Sequence, residues 1–149
     1  MEAIIFIGIQ GAGKSTFYRE RFFDTHIRIN LDMLRTRRRE EILLTACLQS
    51  GQGFVVDNTN LRPSDRQRYL EPARATGFRA VAYLFKTTLR DAMQRNNLRT
   101  GKQKIPAPAL ASAFKKLVPP SAEEGFDEIY TVELTTDRGF VITSVFSKP

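Results

Sequence analysis

The chain has 149 residues, of which 42% are hydrophobic, and it carries a formal net charge of +7. This length suffices for one domain with a real core, so we expect a single domain over residues 1–149. The first apolar run is too short for a membrane span and lacks signal-peptide features, so we expect a cytoplasmic protein that does not associate with a membrane. Cys47 is the one cysteine in the sequence, which excludes an internal disulfide and a cysteine-based zinc site.

The positive charge is concentrated in the middle of the sequence. Residues 62–104 carry eleven basic and three acidic side chains, whereas residues 105–149 carry four basic and six acidic ones. A local basic surface attracts polyanions such as nucleotides or nucleic acid. The alternative is a solvated basic face that has no partner.

A glycine-rich motif follows the first apolar run. Residues 3–9, AIIFIGI, suit a strand that is buried on both faces of a parallel sheet. Gly8, Gly13, Lys14 and Ser15 then match the pattern G-x-x-x-x-G-K-[ST]. In such a loop the backbone N–H groups face a polyphosphate, the lysine reaches the β- and γ-phosphates, and the hydroxyl holds Mg²⁺.

The motif therefore predicts a site for ATP and Mg²⁺ at the start of the first helix, whose positive end adds to the attraction. The predicted nucleotide-binding residues are Gly11, Ala12, Gly13, Lys14, Ser15 and Thr16. The plainer alternative is a strand-to-helix turn that binds nothing.

Strands and helices alternate along the rest of the chain, which is typical of a parallel α/β sheet. The predicted strands after the first are HIRIN (26–30), GFVVDNTN (53–60), FRAVAYLF (78–85), GFDEIYTVEL (125–134) and an edge strand, GFVITSVF (139–146). The predicted helices cover residues 13–23, 32–51, 63–77, 87–98 and 106–117. The second helix is marked by an apolar stripe formed by Ile42, Leu43, Cys47 and Leu48.

Two carboxylates follow the second and third predicted strands. Ligands of open α/β sheets bind beyond the carboxyl ends of the strands, which is where Asp32 and Asp57 fall. Phosphoryl transfer needs a base for the attacking hydroxyl and a carboxylate near the metal. Asp32 suits the base and Asp57 suits the metal. The alternatives are a helix N-cap for Asp32 and a turn residue for Asp57.

Two clusters of arginines are also candidates. Arg95 and Arg99 are four residues apart on a predicted helix and precede a basic loop, so they could close as a lid on the transferring phosphate. The alternative is a solvated helix end. The three consecutive arginines of residues 37–39 could bind along a phosphate backbone or form a solvent-exposed helix face.

Six stretches of the chain resemble, in the same order, the kinase domain of polynucleotide 5′-hydroxyl kinases, the kinase half of polynucleotide kinase–phosphatase. They cover nearly all of residues 1–134 and read GIQGAGKSTF, INLDMLR, VVDNTNLRPSDRQRYLEPARATGF, LFKTTLRDAMQRNNLR, KIPAPALASAFKKL and EGFDEIYTVEL. The D-x-T-N of residues 57–60 and the R-N-x-x-R of residues 95–99 are more specific than the phosphate loop alone.

The resemblance implies a role for each matching residue. Asp32 is the general base that takes the proton of the 5′-hydroxyl, and Arg35 contacts the substrate phosphate. Asp57 is a second essential carboxylate, which together with Ser15 suits the metal. The other matches are Lys14 for ATP, Arg95 and Arg99 for the lid, and Asn58, Thr59 and Asn60 for the substrate.

The chain departs from the family in two ways. The family usually has arginine where this chain has Leu31, and that arginine lines the acceptor site. No D-x-D-G-T sequence is present, so we expect no 3′-phosphatase domain within these residues.

The sequence therefore predicts a P-loop NTPase fold, a three-layer α/β/α sandwich similar to adenylate kinase, with a mostly parallel sheet and an arginine-bearing lid. The expected activity is transfer of the γ-phosphate of ATP to a 5′-hydroxyl end of DNA or RNA. A kinase of the same fold that phosphorylates a nucleoside, sugar or antibiotic remains an alternative, which Leu31 favours. A further alternative is a nucleotide-binding module without catalysis, against which Asp32, Arg95 and Arg99 argue.

Overall fold

The structure is a computed structural model that describes residues 1–137 and 139–149, apart from the side chain of Lys102 in the predicted basic loop. Across these residues the strands are β1 (Glu2–Ile7), β2 (Ile27–Ile29), β3 (Phe54–Val56), β4 (Arg79–Lys86), β5 (Glu128–Leu134) and β6 (Phe140–Ser147). The α-helices are α1 (Lys14–Arg21), α2 (Leu31–Leu34), α3 (Arg37–Ser50), α4 (Pro63–Ala75), α5 (Leu89–Asn97) and α6 (Ala107–Lys116). Short 3₁₀ helices cover Gly101–Gln103 and Ala122–Glu124.

The strands form one sheet with the order β2-β3-β1-β4-β5-β6. Strands β1 to β5 pair in parallel, and β6 pairs with β5 in the antiparallel direction at the edge. The predicted mostly parallel sheet and its last edge strand are therefore confirmed. The strand β1 lies in the middle of the sheet, which explains why its sequence is almost entirely apolar.

Helices cover both faces of the sheet. The side chains of Ala3, Ile5 and Ile7 point to the face that is covered by α3 and α4. The intervening Ile4 and Phe6 point to the other face, where they pack against α1. This alternation follows from the two-residue period of a strand, and it produces the predicted three layers.

The region predicted as one helix over residues 32–51 is divided. The helix α2 ends at Leu34, Arg35 takes a positive φ of 75°, and α3 begins at Arg37. The predicted stripe is also wrong at Ile42, whose side chain is 58% exposed, whereas Leu44 is buried. At about 100° per residue, Ile42 lies about 200° around the helix from Leu44, so both cannot face the core.

Two basic residues of the middle segment are paired with carboxylates of the described chain, one in the interior and one at the surface. Arg66 is fully buried and forms an ion pair with Glu124, and Arg79 pairs with Glu128. The charge excess read from the sequence is therefore larger than the charge that this segment offers to a partner. Among the described residues, no helix is both long enough and apolar enough to cross a bilayer.

Candidate active site

A cleft of about 350 Å³ opens at the carboxyl ends of β1, β2 and β3. It contains most of the site residues that the sequence predicts. These are Gly11, Gly13, Lys14, Ser15, Thr16, Asp32, Asp57, Asn58, Thr59, Asn60 and Arg99. The cleft is also lined by Arg37, from the predicted run of three arginines, and by Leu31, at the position of the family arginine. The lining residues that were not predicted are Gln10, Asn30, Asp65 and Tyr69.

The phosphate loop is shaped by two glycines with left-handed backbone conformations. Gly11 has a φ of 83° and Gly13 a φ of 98°, values that favour glycine over residues with a side chain. A Cβ atom on Gly11 would also lie 3.1 Å from the carbonyl oxygen of Ala92. Ala12, between them, is 1% exposed and packs in the core, so its side chain does not line the cleft.

Lys14 folds back on the loop that carries it. Its Nζ donates hydrogen bonds of 2.8 Å to the carbonyl oxygens of Gly8 and Ile9. Burial lowers the pKa of Lys14 to about 8; Asp57 and Asp32 oppose this shift, whereas Arg99 adds to it. The ammonium is thus held in a site where its charge is costly, and an incoming anion would compensate that cost.

Ser15 and Asp57 form a compact oxygen-rich corner. The Ser15 hydroxyl donates to Oδ2 of Asp57 at 3.0 Å, and Asp57 is 2% exposed. Arg28 donates to both side chains: its Nε lies 2.9 Å from Oδ2 of Asp57, and its Nη2 lies 3.0 Å from Oγ of Ser15. Asp57 is therefore a partner of the phosphate loop and more than a turn residue.

Asp32 lies exposed in the first turn of α2. The residue that caps this helix is Asn30, whose side chain accepts from the backbone N–H of Met33 at 2.8 Å. The alternative assignment of Asp32 as the N-cap is therefore wrong. The Asn30 amide also donates to the carbonyl oxygen of Asp57 at 2.6 Å, which joins the two predicted carboxylate segments.

The D-x-T-N segment connects the neighbouring elements. Oδ1 of Asn58 accepts from the backbone N–H of Leu31 at 2.9 Å, and the carbonyl of Thr59 accepts from Gly8 at 3.0 Å. Asn60 has a φ of 46° and donates to the carbonyl of Phe6 at 2.8 Å. This segment connects the α2 side of the cleft to the end of β1.

The three other predicted arginines lie in different places. Arg99 follows the end of α5 and lines the cleft. Arg95 is outside the set of residues lining the cleft, but its Nη1 donates to the carbonyl of Gly11 at 2.6 Å. Arg35 is exposed between α2 and α3 and, in the part of the chain described, does not line the cleft.

Sequence reasoning missed the buried cluster of Glu40 and Tyr69 and the position of Arg28. Glu40 is 2% exposed and Tyr69 is 1% exposed, and their side chains are hydrogen-bonded at 3.0 Å. One signal was available, because Glu40 lies four residues before Leu44 and seven before Cys47, on the buried face of α3.

The fold and the glycine-rich loop define a P-loop protein. A family model described as "AAA domain" matches residues 4–119, and the chain belongs to this family. The match includes the phosphate loop and both predicted carboxylates.

One relative is a protein of Acanthamoeba polyphaga mimivirus that is provisionally named a bifunctional polynucleotide phosphatase/kinase. It is 29% identical over 147 residues, which cover 94% of this chain and 35% of the relative. The chain thus spans about a third of that relative's length. This relative agrees with the family resemblance predicted from the sequence.

Solved structures show the same fold. A gluconokinase from Sinorhizobium meliloti 1021 has a TM-score of 0.60 and 20% identity, with coverage of 88% of this chain and 81% of that one. Chaetomium thermophilum Kti12 in complex with ADP-AlF3 has a TM-score of 0.63 and 12% identity, with coverage of 91% and 92%. A structure of the PezAT toxin–antitoxin system of Streptococcus pneumoniae has a TM-score of 0.71 and 16% identity, with coverage of 94% and 70%.

Proposed function

We propose that residues 1–149 form an ATP-dependent kinase domain that transfers the γ-phosphate of ATP to a 5′-hydroxyl end of DNA or RNA. The observation that carries the proposal is that one cleft contains both the phosphate loop, with Lys14, and the carboxylate Asp32 on a separate helix. A nucleotide-binding module needs the first feature, whereas a kinase needs both. The polynucleotide acceptor is further supported by the named activity of the mimivirus relative.

The loop side of the cleft fits Mg·ATP. Ser15 Oγ and Asp57 Oδ2 lie 3.0 Å apart, and both are hard oxygen ligands for a metal ion. Mg²⁺ is commonly bound by one or two such groups together with phosphate oxygens of the substrate, so Ser15 and Asp57 would hold it. When bound, Mg·ATP supplies the transferable phosphoryl group. Lys14 and the loop N–H groups between Gly11 and Thr16 would bind its phosphates.

The opposite side of the cleft would bind and activate the acceptor. Asp32 accepts the proton of the attacking hydroxyl as general base. Asn30 and Asn58 hold the first turn of α2 in place, so the carboxylate projects from a fixed backbone. Thr59, Asn60 and Arg35 are proposed to complete the substrate contacts.

Two arginines would stabilise charge that develops during transfer. Arg99 lines the cleft on the side of α5, and Arg95 is bonded to the loop at Gly11. Guanidinium groups near a transferring phosphoryl group are a recurrent feature of such sites. We propose that Arg99 contacts the phosphates directly and that Arg95 holds the loop.

A small-molecule kinase is the second candidate. The specific observation is Leu31, which lines the cleft next to Asp32 where the polynucleotide kinase family usually has arginine. An apolar side chain at this position weakens attraction for a phosphate backbone and suits a neutral sugar or nucleoside.

A transfer assay with γ-labelled ATP separates the candidates. The acceptors are an oligonucleotide with a 5′-hydroxyl, the same oligonucleotide with a 5′-phosphate as control, and a panel of nucleosides and sugars. We expect the label on the 5′-hydroxyl oligonucleotide and none on the control. Label on small acceptors alone would support the second candidate, and ATP turnover without any acceptor dependence would contradict a kinase.

A further inference from the structure

One buried side chain connects the two ends of the loop between α5 and α6. Asn96 lies in the last turn of α5 and is 2% exposed. Its Nδ2 donates to the carbonyl oxygen of Ile105 at 2.7 Å, and its Oδ1 accepts from the N–H of Ile105 at 2.9 Å. Both ends of the amide are thus paired with the backbone of a single residue. These two hydrogen bonds close the loop of residues 98–104.

The near end of this loop is attached to the phosphate loop. The carbonyl of Asn96 accepts from the N–H of Arg99 at 3.1 Å. One residue earlier, Nη1 of Arg95 donates to the carbonyl of Gly11 at 2.6 Å and to the Thr87 hydroxyl at 3.3 Å. The backbone that leads to Arg99 is therefore held on both sides of Asn96.

The far end of the loop is anchored by packing. Ile105 packs against an apolar cluster that contains Leu110 of α6 and Ile9 of the phosphate loop. Ile9 is 1% exposed, and its carbonyl accepts from Nζ of Lys14 at 2.8 Å. Both ends of residues 98–104 are thus fixed relative to the segment that is expected to bind ATP.

Arg99 reaches the cleft from this loop. It lines the cleft together with Lys14 and Asp32. Burial, and to a smaller extent the charge of Arg99, lowers the pKa of Lys14 to about 8, so the two cations lie in the same part of the cleft. Among the described residues, no side-chain hydrogen bond is assigned to Arg99 itself. Its place in the cleft therefore depends on the backbone that carries it.

We infer that Asn96 is a positioning residue, which fixes residues 98–104 so that Arg99 lies in the cleft before the nucleotide binds. The sequence predicts that Arg95 and Arg99 close as a lid, whereas here the lid is already built into the fold. A free loop would lose backbone entropy each time Arg99 reached a phosphate, and a fixed loop has lost it on folding. The catalytic consequence rests on the proposed function, which assigns Arg99 to the phosphates.

Limited cleavage with trypsin measures the order of the loop without any nucleotide. Cleavage after Arg99 or Lys104 needs only a local opening of the loop, whereas cleavage after the exposed Arg68 needs α4 to unfold. In Asn96→Ala the loop loses both hydrogen bonds to Ile105. We expect cleavage after Arg99 and Lys104 to accelerate by about tenfold or more relative to cleavage after Arg68.

The neighbouring asparagine provides a matched control. Asn97 is exposed, and Asn97→Ala should be cleaved at the wild-type rate. Asn96→Asp keeps an acceptor for the N–H of Ile105 but loses the donor to its carbonyl, so cleavage should accelerate without reaching the rate of Asn96→Ala. Thermal unfolding curves check that each variant is folded. If Asn96→Ala does not fold, Asn96→Asp and the response of the wild type to nucleotide decide the question.

That response is measured with a non-hydrolysable ATP analogue and Mg²⁺. Cleavage after Lys104, at the far end of the loop, should slow by less than about threefold in the wild type, because the loop is already fixed. In Asn96→Ala the analogue should slow it by about tenfold, because the contact with Arg99 then orders the loop. Protection of the wild type as large as that of the variant would show that the loop closes on the nucleotide, which would overturn the inference.

Transfer kinetics test whether Asn96 acts through Arg99. Asn96→Ala should lower kcat by about tenfold and leave the KM for ATP within about threefold. The same change in an Arg99→Ala background should lower kcat by less than about twofold, because the positioned group is already missing. Equal losses in both backgrounds would reduce Asn96 to a general structural role and contradict its action through Arg99.

The outcomes separate this inference from the proposed function. If the wild type transfers phosphate to no acceptor, the proposed function fails, and the cleavage rates of the nucleotide-free protein still decide whether Asn96 fixes the loop. If the wild type is active but Asn96→Ala is cleaved after Arg99 and Lys104 at the wild-type rate, the inference alone is overturned.

Discussion

The phosphate-loop side of the cleft is built mainly from one continuous segment, whereas the opposite side is assembled from four. Residues 8–16 shape the first side with backbone groups and two left-handed glycines, and Asp57 joins it through its hydrogen bond with Ser15. The second side takes residues 30–32, Arg37, residues 58–60, and Asp65 with Tyr69 from separate elements. The first side depends on local conformation, and the second depends on side chains that meet only after folding.

Substitutions on the two sides should therefore have different effects on activity. A change in the loop should affect ATP binding and transfer to every acceptor, because the loop acts on the common donor. A change on the opposite side should affect transfer or acceptor choice but leave ATP binding intact.

Asp32→Asn should lower phosphoryl transfer by about two to four orders of magnitude while ATP affinity stays within about threefold. The change keeps the size of the side chain and removes the base. Asp32 is exposed and is not the helix cap, so we expect the free energy of unfolding to change by less than about 0.5 kcal/mol. Acceptor-dependent turnover, nucleotide affinity and thermal unfolding should be measured on the same preparation.

A matched control is Asp24→Asn, an exposed carboxylate outside the cleft. It should behave as the wild type. Transfer by Asp32→Asn at near wild-type rates would contradict the proposed mechanism even if the loop binds ATP. If the loss of activity in Asp32→Asn instead comes from weaker Mg·ATP binding, Asp32 acts on the ATP side of the cleft. The two sides would then not be functionally separate.

Lys14→Met should lower transfer to all acceptors by about a hundredfold or more, because a phosphate-directed cation is lost where charge develops. The fold should persist, since the amine contacts loop carbonyls and is not part of the apolar core. Rates should be measured with an oligonucleotide and with a small acceptor. A loss confined to one acceptor would contradict the assignment of Lys14 to the common donor.

The two sides also differ in how far the sequence predicts them. The loop could be predicted because its spacing is local, and Asp57 could be placed because it directly follows an apolar strand. The sheet follows from the same alternation of apolar runs and helices. These features depend on neighbouring residues, so they are present in the sequence before the chain folds.

The missed features depend on contacts between distant segments. Arg28 reaches Asp57 because β2 pairs with β3, and the sequence places these residues 29 positions apart. Glu40 appears polar and solvated in the sequence, and its burial makes sense only once Tyr69 and Asn58 lie beside it. The break between α2 and α3 occurs at Arg35, a residue with no sequence signal for a positive φ.

Arg28→Gln should lower the Mg²⁺ concentration needed for half-maximal nucleotide binding by about twofold to tenfold. The Arg28 guanidinium lies 2.8 Å from Oδ2 of Asp57, so it competes with the metal for the same oxygen. The control is Arg19→Gln, an exposed arginine on α1. A Mg²⁺ requirement that rises in Arg28→Gln would show that Arg28 orients Asp57 instead of competing for it.

The smallest expected effect is proton uptake when the nucleotide binds. The pKa of Lys14 is lowered by burial from its usual 10.5 to about 8 in the nucleotide-free protein, so near pH 8 about half of the molecules carry a neutral amine. A bound polyphosphate favours the ammonium and raises this pKa. Binding should therefore take up about half a proton at pH 8 and less at pH 6, where Lys14 is already charged.

Calorimetry in buffers that differ in ionisation enthalpy measures this uptake directly. ATP itself is fully deprotonated at pH 8, so the uptake should come from the protein, and it should vanish in Lys14→Met if that variant still binds. The sign follows from the direction of the pKa change, since a group whose pKa rises on binding takes up protons between its free and bound pKa. Proton release at pH 8, or equal uptake in Lys14→Met, would contradict the burial of Lys14 as the source. Either result would also show that the Lys14 ammonium does not bind the nucleotide phosphates in the way that the loop geometry indicates.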